Sequence, residues 1–170
     1  METQTQLEKI RKTSADVKTV CMIMLGLTII FFCLVVSMAI FWHGRFTIGE
    51  SHIDIKQMSF GGKTLFIFFV SLTAAIVIKG QIHLYRLFSN YSDGNVFTAG
   101  SVAQIRQLGV TLLLFAGLKI LVVPWMVFLE HRMSLEGLPF LELFAGWVII
   151  LIARVMDAAR GLREENEATI

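Results

Sequence analysis

Residues 79–109 read KGQIHLYRLFSNYSDGNVFTAGSVAQIRQLG, a patterned polar stretch set between two long apolar runs. Leu84, Leu87, Phe88 and Tyr91 fall at helical spacing on one face, with His83, Arg86 and Asn90 on another. Ser92-Asp93-Gly94-Asn95 is then a turn signal, because glycine reaches positive φ without steric cost. The next helix is expected to begin after Thr98 or at Ser101, whose spacing to Gln104 matches a capping box. Beyond it Val102, Ile105 and Leu108 share a face, and Gln104, Arg106 and Gln107 are expected to stay wet. The stretch therefore predicts two helical extensions joined by a tight turn, which makes the flanking apolar runs antiparallel neighbours.

Working outward, four apolar runs predict spans at about 19–42, 64–85, 108–129 and 138–154. The chain of 170 residues is 55% hydrophobic and 16% charged, with a mean hydropathy of +0.70. A typical soluble domain carries about 25% charged residues. The fold class is thus an all-α membrane protein, a single-domain antiparallel four-helix transmembrane bundle with cytoplasmic helical extensions and little mass outside the bilayer. The first run, Thr19 to Trp42, is uncharged and exceeds the roughly 7–15 apolar residues of a cleaved signal peptide, so it reads as a retained helix. Trp42 stands where an interfacial aromatic belongs. The second run is strictly apolar only from Thr64 to Ile78, so Lys79 and Gln81 belong near an interface, with the helix continuing past them. Between the first two runs, alternation at Ile53 and Ile55 hints at short strands.

Charge placement supplies the topology. Ten of the fifteen Lys and Arg lie in the N-terminal tail, the 79–109 link and the C-terminal tail; four lie in the other two connections, and Lys119 is the remaining one. That bias predicts a multi-pass protein of the cell membrane with both termini cytoplasmic. The net charge of +2 gives no reason to expect direct nucleic-acid binding. Cys21 and Cys33 sit on one helix, roughly 18 Å apart at its rise per residue, too far to bond to each other.

Two charges fall inside apolar runs. Lys119 lies mid-run, where a basic group costs about 2.5–3.5 kcal/mol on insertion scales and so should face protein or water. Glu142, about one turn inside the fourth run, is its candidate partner across the two helices. Pro124 removes a backbone donor and predicts a kink one turn beyond Lys119. The four histidines, His43, His52, His83 and His131, match no metal-site spacing, and no phosphate loop or nucleophile–base set is visible. No catalytic residue, metal or cofactor is expected. Asp157, Glu164, Glu165 and Glu167 share the tail with Arg154, Arg160 and Arg163 and read as a solvated, self-paired helix end.

The segment LYRLFSNYSDGNVFTAGSVAQIRQLG, with Leu87, Phe88, Gly94, Phe97, Ile105 and Gly109, resembles the bacterial domain-of-unknown-function family numbered 2975. So does the ending from Gly161 to Ile170, although the family usually shows a bulkier apolar residue where this chain has Ala168. The resemblance implies a small cell-membrane protein of bacteria or archaea, of a kind often encoded beside a small helix-turn-helix regulator. It carries over no catalytic residue.

The functional expectation is a non-enzymatic membrane protein whose inward face receives a cytoplasmic protein such as that regulator. The candidate surface comprises Arg86, Tyr91, Asp93, Gly94, Phe97, Arg106, Arg160 and Arg163. The alternative is a small transporter or channel subunit using Lys119, which as a narrow four-span bundle would need to form a homo-oligomer. Beyond these, the expected partner is the lipid bilayer.

Overall fold

The computed structural model describes residues 2–41, 45–48, 51–54, 60–95, 98–130 and 139–168. Four helices carry the chain: α1 (Glu2–Phe41), α2 (Phe60–Ser92), α3 (Ala99–Glu130) and α4 (Phe140–Ala168). Between α1 and α2 stands an antiparallel hairpin of β1 (Arg45–Ile48) and β2 (Ser51–Asp54), in register Phe46 to Ile53 and Thr47 to His52. It accounts for part of the strand-like alternation; Ile55, Trp42, Phe97 and the connection 131–138 lie outside the described residues.

Three helices are long and apolar enough to cross a membrane: α1 over Arg11–Phe41, α2 over Phe60–Ser92 and α3 over Ala99–Val122. Their large apolar side chains point outward. Phe31 is 60% exposed and Leu121 70%, an arrangement untenable in water over so much surface and natural in hydrocarbon. In α4 the uncharged stretch is shorter, running only from Leu143 to Ala153, and the helix continues into a charged second half.

The helices alternate in direction, and cross-helix contacts establish it. From Thr28 through Lys18 to Arg11, α1 descends while its contacts on α2 rise from Gln81 through Tyr85 to the Gly94 turn. From Thr111 to Gln104, α3 descends against Gly80 and His83 of α2 in the reverse order. From Lys119 to Gly109, α3 meets Glu142 and then Gly146 of α4. Each helix packs chiefly on its neighbours in the chain, so the four run in series from α1 to α4. At the α2–α3 turn three helices converge: Leu87 of α2, Val102 and Ile105 of α3 and Ala153 of α4 form a buried cluster, with Tyr91, Ile149 and Met156 packed against it.

One boundary extends beyond the apolar run, and another decides between the two starts the sequence offered. The first helix begins at Glu2, well before the apolar run that starts near Thr19. Ser14 is buried, Lys18 sits 5.5 Å over the Tyr85 ring, and the Arg11 guanidinium lies against Gly94. The third helix begins at Ala99 with Thr98 as its cap: the Ser101 N–H donates to Thr98 Oγ1 (3.3 Å), and the Val102 N–H to the Thr98 carbonyl (3.1 Å). Ser101 is instead fully buried, its hydroxyl donating back to the Asn95 carbonyl at 2.7 Å.

Candidate functional site

The residues singled out by the sequence gather along the α3–α4 pair and at the α2–α3 turn. On α3, twelve uncharged residues separate Arg106 from Lys119; on α4, eleven separate Glu142 from Arg154. Each interval rises roughly 18–20 Å. Because the helices are antiparallel, the four charges mark the two ends of one apolar belt.

At the first end Lys119 Nζ donates to Glu142 Oε1. The ammonium also lies 5.0 Å from the centre of the Phe115 ring, a cation–π contact one turn earlier on its own helix. Glu142 stands in the first turn of α4, where the helix N-terminus favours a carboxylate independently of the lysine. The helix opens there with the Leu143 N–H on the Pro139 carbonyl at 3.0 Å. Both charges thereby have partners in a setting that penalises either alone. The backbone of α3 stays helical through Pro124 and runs on to Glu130, well past the start of α4.

Midway along the belt the helices touch through backbone. A Cβ on Gly109 would lie 2.7 Å from Ile150 Cγ1 and 3.0 Å from the Gly146 carbonyl oxygen. A Cβ on Gly146 would lie 2.8 Å from Leu113 Cδ2 and 3.1 Å from the Gly109 carbonyl oxygen. Absent side chains let two helices approach closely where hydrocarbon offers no hydrophobic drive. From this crossing Lys119 stands ten residues along α3 and Glu142 four residues back on α4, and their side chains meet across the difference in height. Gly109 entered the sequence reading only through a family resemblance, and Gly146 not at all; the available signal was a small residue in the interior of each apolar run.

The second end is the capped turn. Helix α2 closes in a Schellman motif: the Asn95 N–H donates to the Asn90 carbonyl (2.9 Å) and the Gly94 N–H to the Tyr91 carbonyl (3.0 Å), with Gly94 at φ 84°. That φ is why glycine stands here. Behind the turn, His83 Nδ1 and Gln104 Oε1 are 2.7 Å apart. Gln104 is therefore half-buried and tied to α2, where the sequence reading had it wet and capping. Two residues earlier on α2, Gln81 Nε2 donates to Thr28 Oγ1 at 2.8 Å, tying α2 to α1.

The remaining surface candidates separate. Arg86 and Asp93 are exposed, Gly94 lies under Arg11, and Tyr91 is drawn into the three-helix cluster. Arg160 pairs with Asp157 at 3.5 Å, one turn back on α4, and Arg163 lies further along the same helix. Arg106 is exposed and turns to the groove between α3 and α4, beside Arg154.

A chain of four antiparallel helices, three of them able to cross a bilayer, with Lys119 paired to Glu142, defines a small all-α membrane protein. The family model for proteins of unknown function designated DUF2975 matches residues 61–170, which include the turn, the glycine crossing and the ion pair. The chain belongs to that family. No curated protein and no solved structure matches it.

Proposed function

We propose that this is a non-enzymatic, multi-pass protein of the cell membrane whose four helices all enter the bilayer, with both termini cytoplasmic, and whose α2–α3 turn and α4 tail form a cytoplasmic docking platform for a protein partner. The bias of basic residues supports the orientation. One observation carries the docking reading: the described flanks of the turn are capped and packed together. A Schellman motif, a threonine cap and a buried cluster from three helices lie beside the exposed Arg86 and Asp93. The partner that suits the reading is a small helix-turn-helix regulator held at the membrane.

The competing reading puts Lys119 on a transport pathway. The pairing of Lys119 with Glu142 and its placement over Phe115 favour a lock between two helices instead.

Photo-crosslinkers at Arg86 and Asp93 in living cells test the platform, with lipid-facing Leu114 as control. The expected result is a DNA-binding protein captured from positions 86 and 93 and absent from 114. Capture of only lipid and the protein itself would remove the support for this reading.

A further inference from the structure

The Arg106–Arg154 end of the apolar belt carries a second assignment, independent of any protein partner. These two arginines stand on different helices and line one groove of about 480 Å³. Among the described residues neither has an ion-pair partner. Two like charges bordering one cleft repel each other. The arrangement is favourable when an anion lies between them.

The rest of the lining narrows the anion. Val102, Val110 and Ala153 make one side apolar, and the small side chains of Ala99 and Ala103 leave the open volume. Gln107 adds a neutral amide beside the arginines. The groove also holds one carboxylate, Asp157, which is engaged by Arg160 on its own helix. A free phosphate would use the arginines and leave the apolar wall idle. A zwitterionic headgroup would bring a cation to a cleft whose single carboxylate is already paired. The level fits as well: Arg106 is the last charge before the uncharged run of α3, and Arg154 the first after that of α4. Lipid phosphates lie at this edge of a hydrocarbon belt, and basic clefts between membrane helices are suited to acidic headgroups.

We propose that the α3–α4 groove binds one anionic phospholipid, its phosphate between Arg106 and Arg154 and an acyl chain descending past Val110. Guanidinium is suited to the task because its planar fork donates two parallel bonds to phosphate oxygens.

The test uses the full chain purified in detergent and stripped of lipid. Phosphatidylglycerol, phosphatidylcholine and inorganic phosphate are titrated separately, with binding read by native mass spectrometry and by the shift in thermal unfolding. Phosphatidylglycerol is expected to bind tightest, and each of Arg106→Gln and Arg154→Gln to weaken it roughly fivefold. Lys12→Gln, exposed on α1, is expected to leave it unchanged. Equal binding of the two lipids overturns the proposal, as does undiminished phosphatidylglycerol binding by the Arg106→Gln/Arg154→Gln double variant. Inorganic phosphate competing at the lipid's own concentration would mark a simple anion site and overturn it too. The comparison on the unaltered protein decides the matter even if a variant does not fold.

Discussion

The two ends of the α3–α4 pair are built on opposite electrostatic logic. At one end Lys119 and Glu142 attract and close the helices on each other. At the other Arg106 and Arg154 border an open groove. Between them Gly109 and Gly146 bring the backbones together. Opposite charges in a medium of low dielectric satisfy one another and need nothing further; like charges need a third party. The first end therefore reads as a fastening, and the second as a place for a ligand.

The sharpest way to break this comparison is to remove one charge from the fastened end. Lys119→Leu or Glu142→Leu alone should destabilise the detergent-solubilised protein by about 3 kcal/mol, since each leaves the other charge stranded in an apolar setting. The Lys119→Leu/Glu142→Leu double variant should recover most of that loss. A thermodynamic cycle from chemical unfolding measures it, and additive losses would show that the two side chains act separately. Next in size is the crossing. Gly109→Ala should cost about 2 kcal/mol in the same assay, because the new methyl meets a backbone carbonyl that cannot swing aside.

Smaller effects sharpen the contrast at the turn end. Gln104→Leu should cost about 0.6 kcal/mol, the average for a hydrogen bond between membrane helices, and should leave the Lys119–Glu142 coupling intact. Smallest of all, Arg154→Gln in lipid-free detergent should change stability by no more than about 0.5 kcal/mol, as for surface substitutions, in the stabilising direction because a repulsion is relieved. A loss comparable to that of Lys119→Leu would mean that Arg154 is fastened as well, and the contrast between the ends would fail.

Much of this was legible in the chain. The turn at Asp93-Gly94 was readable because a Schellman closure requires a residue tolerant of positive φ, and local chemistry announces it. The membrane class was readable from run length and from the scarcity of charge. Of the two starts the sequence offered for α3, the one after Thr98 holds; the capping box at Ser101 and Gln104 fails because each has a competing partner in space. Asn95 takes the Ser101 hydroxyl, and His83 takes the Gln104 amide. The helical N-terminal segment was likewise hidden, since its order rests on Arg11 and Lys18 reaching α2, a surface that exists only after folding.

By itself the sequence determined that this protein lives in a membrane, where its chain reverses beyond the second span, and which charges are costly enough to need an answer. Those properties depend on local composition and on backbone preferences that each residue carries wherever it is placed. Only the tertiary structure decided how the charges are answered. Gly109 meets Gly146 across 37 residues of chain, and in the same pair of helices Lys119 lies against Glu142 while Arg106 and Arg154 stand around open space. Pairing depends on distance in space, which no periodicity along a single helix encodes.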